Sequence, residues 1–317
     1  MTNQSLSCGQ IFRLGVALVV FVLCLGSTAC GGSDDDATGG ADDGRPTVVA
    51  TTTMLDDLAR TLGGDRVHVV GLMKPGQDPH VYDALPRDAQ AIAAADLVVA
   101  NGLNLEATLH DIIENNAQGK IIYAAEQDGI KTLGSEDYAG APDPHCWMDI
   151  AMYQLYAQKV CAGLVEIDPD HAEAYEQRTA EYLNELDELQ AWVTQRFDEV
   201  PKQQRVILTS HDAFNYFGAA NDLEVHGVIG ISTEQAPRPQ DIAALQQLVQ
   251  DRNVKALFIE SSVTPALNAM VQKVAEQTGS TVGGTLYSDS LGRPGSGADT
   301  YIGMIRHNVN TVVEALK

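Results

Sequence analysis

The tripeptide Asp-Pro-His occurs twice in the chain, ending at His80 and again at His145. Proline fixes its own φ and restricts the residue before it, so each histidine is delivered on a preset turn with little entropy left to lose. Two further polar residues follow β-branched runs directly: His211 after "VILTS" and Asp289 after "GGTLYS". Three imidazoles and one carboxylate make a borderline-hard donor set suited to Zn2+ or Mn2+, without the soft thiolates that select copper. The aspartates that open the two turns, Asp78 and Asp143, either cap the turn or accept a ligand's second N–H and set its tautomer. Cys146, next to His145, is a possible soft donor beside this set. His68, His110, His171, His226 and His307 lack such context and read as surface or core residues.

Four ligands so far apart in sequence need a scaffold that gathers them. The runs "TVVATTT", "VHVVGLM", "LVVANG" and "KIIYAAE" are strand-like and alternate with helical stretches such as "MLDDLARTLGG" and "PRDAQAIAAA", the grammar of a parallel sheet. After Pro201 the same grammar returns in "RVILTS", "EVHGVIGIS", "KALFIESS" and "TVGGTLYSD". Between the halves, from about residue 149, the pattern is helical with a break at "IDPD"; its second part ends near Val200. Thirty helical residues would span roughly 45 Å, more than one small domain needs, which points to a stiff connector. The expected architecture is α/β: a first lobe at 47–168, a linking helix at 169–200 and a second lobe at 201–317. In parallel sheets ligands collect beyond the carboxyl ends of strands. His80 and His145 are placed there in the first lobe, with His145 opening the connector-side helix, and His211 and Asp289 in the second.

The rest of the composition narrows the partners. A net charge of −23 argues against nucleic acid and anionic membrane surfaces as partners and makes cations the natural counterpart, with solubility as the plainer reading. The opening segment has one basic residue, Arg13, an apolar run from Leu14 to Leu25, and small residues leading to Cys30, which reads as an export signal too short for a comfortable span. "STAC" resembles a bacterial lipobox with Ser27 where Leu is usual, and places lipid on Cys30 at the end of a signal peptide assigned to 1–30. The Gly- and Asp-rich segment 31–46 then reads as a flexible tether. Cys146 and Cys161 on one helix would lie about 22 Å apart, beyond disulfide reach, and are expected to be packed free thiols.

At these residues the chain resembles the solute-binding lipoproteins of bacterial zinc and manganese ABC transporters. The matching stretches are "DPHVYDALPRD", "ADLVVANGLNLE", "DPHCWMDI", "SHDAFNYFG", "GISTEQAPRPQDIAAL", "ALFIESSV" and "GGTLYSDSLG", in order from Thr47 to Lys317. The resemblance implies two lobes, each with a four-stranded parallel sheet flanked by helices, bridged by one long rigid α-helix. It also implies a metal held in the interlobe cleft by His80, His145, His211 and Asp289, and delivery to a membrane permease by a protein that is itself no enzyme. Asp83, Ala236 and Cys146 depart from the family's usual residues without removing a ligand. Manganese-preferring members carry Glu where this chain has His211, which favours Zn2+ with Mn2+ as the alternative, although the His-rich loop of many zinc members is absent.

A monomer is expected, anchored at the outer face of the cytoplasmic membrane, with modest closure around a stiff helix and binding weakened near pH 5 to 6 as histidines protonate. Two rivals carry different tests. A zinc hydrolase would show a solvent ligand and turnover, but there is no HExxH and no paired base and nucleophile. A surface adhesin with incidental metal would keep its function when His80 and His211 become Ala.

Overall fold

A computed structural model describes residues 44–134 and 141–317. The export segment, Cys30 and the tether up to Asp43 lie outside the described residues. Among the described residues no helix is long and apolar enough to cross a membrane.

All eight β-branched runs are strands. In the first lobe β1 (Thr47–Ala50), β2 (His68–Gly71), β3 (Leu97–Ala100) and β4 (Lys120–Tyr123) form a parallel sheet in the order β2-β1-β3-β4. In the second, β5 (Val206–His211), β6 (Glu224–Ile229), β7 (Ala256–Glu260) and β8 (Thr281–Leu286) repeat that order as β6-β5-β7-β8, again parallel. Sequential strands leave in opposite directions from the central pair of each sheet, so the carboxyl ends of β1/β3 and of β5/β7 are the switch points where a crevice opens.

Helix ends follow their local chemistry. Helix α1 (Thr53–Gly63) starts where the Thr52 side chain accepts from Leu55 N and stops at Gly64, whose φ is +57°. Helices α2 (Pro86–Ala94) and α3 (Ala107–Asn116) complete the first lobe. Helix α3 lacks an ordinary start signal: the Glu106 side chain at its N-cap bonds Thr51 Oγ1, Asn101 N and Gly102 N and gives no cap to the helix. Helix α4 (Ile150–Ile167) is capped by Asp149, and α5 (Ala172–Phe197) follows a short 3-10 turn at Pro169–His171. Its 26 residues span about 39 Å, less than the thirty expected, because the prolines at 169 and 201 bound it with tighter turns. In the second lobe α6 (Asn215–Asn221), α7 (Pro239–Asp251), α8 (Pro265–Thr278) and α9 (Tyr301–Leu316) surround the sheet. The seven-residue α6 has no side-chain cap and is too short to show much periodicity.

Helix α5 is more than a spacer. One apolar core runs from Val48 and Leu55 of the first lobe through Tyr153, Leu186, Val193 and Phe197 to Phe214, Met304 and Val309 of the second. Smaller clusters lie apart from it, around Ile92 and Leu109 in one lobe and Leu257 and Val271 in the other. Tyr153 on α4 and Tyr301 on α9 stack with centroids 3.6 Å apart, and Asp57 of α1 accepts the backbone N–H of Tyr301. The lobes are thus joined by shared packing. Leu186→Ala, at a fully buried position in the middle of that packing, is expected to cost about 2–5 kcal/mol. Denaturant unfolding checks it through a lowered midpoint at unchanged slope.

Candidate metal centre

His80, His145, His211 and Asp289 each offer one donor atom, and these atoms lie within 4.8 Å of one another, all on buried side chains. The structure therefore brings together all four residues that the sequence singled out. The closest approaches are 3.2 Å between His80 Nε2 and His145 Nε2, 3.4 Å between His145 Nε2 and Asp289 Oδ1, and 3.1 Å between His211 Nε2 and Asp289 Oδ2.

Each residue is positioned by a different device. His80 sits in the 3-10 turn Pro79–Val81, whose N-cap Asp78 accepts His80 N at 2.9 Å. The second oxygen of Asp78 accepts Thr233 Oγ1 of the other lobe at 2.6 Å, so Asp78 caps the turn and bridges the lobes. Tyr82 anchors the same loop by donating to Asp88 Oδ2 and to Leu72 O. His145 precedes the 3-10 turn Cys146–Met148, and α4 begins only at Ile150; the expected helix opening at His145 is therefore displaced along the chain by that turn. Asp143 fills both of its expected roles, taking His145 N at 3.0 Å and His145 Nδ1 at 2.7 Å with Oδ1. Its other oxygen accepts Asn215 Nδ2, and its backbone carbonyl accepts Tyr216 OH, both from α6. Asn101, at the end of β3, donates to Pro144 O and accepts from Tyr156 OH, which fixes this loop from below.

His211 is the last residue of β5, fully buried. Its Nδ1 lies 2.7 Å from Glu260 Oε2, and its backbone N–H donates to Glu260 Oε1 at 2.8 Å. Glu260 ends β7, so carboxylate and imidazole meet at the switch point of the second sheet. Asp289 follows β8 and is held by its loop: Trp147 Nε1 donates to Ser288 O, and Leu291 N to Thr53 Oγ1, both across the lobes.

Glu260 is the residue that motif reading misses. Its signal is a carboxylate at the end of the apolar strand "ALFIE", where burial without a partner is costly. Cys146 is fully buried, with Sγ 3.8 Å from Asp143 O and the thiol pushed up to about 11, chiefly by burial. It packs and stands outside the group of four, and both Cys146 and Cys161 are free thiols.

The electrostatics separate the three imidazoles. Burial pushes His80 down to about 3. Burial would also lower His145, but Asp143 and then Asp289 overturn this and raise it to about 9. Burial opposes the charge on His211 too, yet Glu260 and Asp289 hold it well above its ordinary value. Asp289, which burial alone would raise, is kept well below the usual carboxylate range by His211 and His145. Even so the polar atoms are not all satisfied: both nitrogens of His211, Glu260 Oε2 and Asp289 Oδ1 are buried without an aligned hydrogen bond. Convergent donors left in that state suit a cation between them.

The family described as the zinc-uptake complex component A, periplasmic, matches residues 48–315. The chain belongs to this family. The manganese-binding lipoprotein MntA of Bacillus subtilis is 35% identical over 308 residues, covering 96% of this chain and all of the relative. The zinc-binding protein TroA of Treponema pallidum is 32% identical over 306 residues, 96% of this chain and 98% of TroA. The solved structure of that periplasmic zinc-binding protein superposes with a TM-score of 0.82 at 33% identity, over 86% of this chain and 99% of that one. Family membership makes this chain a metal-binding, substrate-binding component of an ABC transporter and not an enzyme.

Asp143 and Glu260 hold the Nδ1 sides of His145 and His211, and a carboxylate in that place orients an imidazole and raises the basicity of its other nitrogen. Asp143→Asn and Glu260→Gln are each expected to weaken metal binding by about 10- to 100-fold. Competition against a chromophoric chelator measures this, with circular dichroism as the check that the fold is retained.

Proposed function

We propose that the protein captures one divalent transition-metal ion, Zn2+ in preference to Mn2+, between His80 and His145 of the first lobe and His211 and Asp289 of the second. It then hands the ion to the membrane permease of the same uptake system. The observation that carries this reading is the convergence of three imidazoles and one carboxylate, drawn from four separate loops and strand ends, into one buried group with unsatisfied donors. The four donor atoms lie within 4.8 Å of one another, and His80 Nε2 and His145 Nε2 are 3.2 Å apart, close to the roughly 3.3 Å edge of a tetrahedron with bonds of about 2.0–2.1 Å. Four donors of which three are nitrogen favour Zn2+; a harder, more oxygen-rich shell would favour Mn2+. The relatives are named for either metal, so the preference rests on this chain's donor set.

The chemistry is capture. The acidic surface draws the cation in, burial strips its water, and the carboxylates at Asp143, Glu260 and Asp289 balance its charge. Delivery outside the cell follows from the proposed lipid on Cys30, with residues 31–46 as the tether, and is supported by the lipoprotein names of several relatives. The lobes at 47–168 and 201–317 with their link at 169–200 are the proposed functional divisions.

Elemental analysis of protein purified without added metal, followed by competition between Zn2+ and Mn2+, tests the proposal. One equivalent of metal, with Zn2+ displacing Mn2+, is expected. Stoichiometric Mn2+ that Zn2+ fails to displace would reverse the preference, and absence of stoichiometric binding of either ion would overturn the proposal.

A further inference from the structure

The four donors are not equally enclosed. A cavity of about 530 Å³ lies between the lobes, lined by Leu103, Asn104 and Pro144 on the first and by Ile231 and Glu234 on the second. Of the four donors, His80 alone lines it. His145, His211 and Asp289 lie behind, in the packed interior, with relative exposures of 0%, 0% and 1% against 5% for His80.

The supports differ in the same sense. His145 is backed by Asp143 and His211 by Glu260, and Asp289 lies between those two rings. Among the described residues no carboxylate stands within ion-pair distance of His80, whose Nε2 approaches His145 Nε2. His80 also rides on a loop between β2 and α2 whose stretch 74–77 is exposed. That loop reaches the second lobe through two hydrogen bonds, Gly76 N to Ser290 Oγ and Thr233 Oγ1 to Asp78 Oδ2.

We propose that His80 is the exchangeable ligand: the ion passes through the interlobe cavity, is taken first by His145, His211 and Asp289, and is closed in last by His80, which is also the first to release it. This rests on the four-ligand reading above. It has a chemical consequence, because removing the His80 ring opens its place to the cavity, where free imidazole has room to enter. The places of His145 and His211 are sealed from it.

The test titrates full-length wild type, His80→Ala and His211→Ala with Co2+ and Zn2+, with and without imidazole, reading the visible Co2+ spectrum and chelator competition. Imidazole is expected to recover about tenfold or more of the affinity lost in His80→Ala and none in His211→Ala. No recovery in His80→Ala, or equal recovery in both, overturns the inference while wild-type binding stands. Failure of wild type to bind one equivalent overturns the four-ligand reading and this inference with it. Ser232→Trp, which narrows the cavity without touching a donor, supplies an independent measurement. Metal association and dissociation are expected to slow together at unchanged equilibrium affinity, and unchanged rates overturn the proposed path.

Discussion

His211→Ala is expected to weaken metal binding by about 10²- to 10³-fold. A four-ligand zinc site contributes on the order of 10–16 kcal/mol, so forfeiting one of four ligands removes about 3 kcal/mol, or roughly 10² to 10³ in affinity. His211 is the position where that loss is least recoverable, because its ring ends β5 in the dry interior and its removal leaves Glu260 and Asp289 facing each other as buried carboxylates. Part of the effect is therefore electrostatic: an unpaired buried charge destabilises the empty site as well. Isothermal titration with Zn2+ checks the binding, and thermal unfolding of the metal-free variant checks the second effect. Near-wild-type affinity in His211→Ala would remove this residue from the metal shell.

Metal binding is expected to expel about two protons at neutral pH. With His145 raised to about 9 by Asp143 and Asp289, and His211 raised well above its ordinary value by Glu260 and Asp289, the empty site keeps both rings charged at neutral pH. Two imidazolium ions then carry two positive charges among the carboxyl groups of Asp143, Glu260 and Asp289. A divalent cation supplies the same two positive charges, so ion and protons exchange without changing the charge of the buried group. The sign follows: a ligating ring must be neutral, protons compete, and apparent affinity rises with pH up to about 9 and falls as pH drops, by up to about two decades per pH unit where both protons are displaced. Calorimetry in buffers of different ionisation enthalpy counts the protons. A count of zero at pH 7 would contradict the charge balance described here. The expectation from unperturbed histidine, weakening only near pH 5 to 6, is thus moved upward by the carboxylates behind the rings.

That shift marks what the sequence makes legible and what it does not. The two Asp-Pro-His turns are visible because proline constrains the chain locally, and the strand runs are visible because period and β-branching are local as well. Together with the strand-end rule they lead to His80, His145, His211 and Asp289 before the fold is known. Roles set by distant neighbours are harder. Asp78 and Asp143 look identical in sequence, yet Asp78 turns to Thr233 of the other lobe while Asp143 turns back to the ring of His145. Glu260 is 49 residues from His211 and meets it only because β5 and β7 are neighbours in the sheet. Helix α6 is hard to foresee because its seven residues make barely two turns of periodic pattern. The long helix is foreseen as a connector, but its share in a core common to both lobes depends on Tyr153, Phe214 and Met304, which no local pattern links to it.

The central claim is that one ion is held by these four side chains together. A crystal of the metal-loaded protein, with anomalous scattering recorded at the absorption edge of the bound metal, tests it directly. A single buried anomalous peak bonded to His80, His145, His211 and Asp289 is expected, with Asp143 and Glu260 hydrogen-bonded behind the rings of His145 and His211. A peak elsewhere, or one with Cys146 sulfur in its coordination shell, would contradict it.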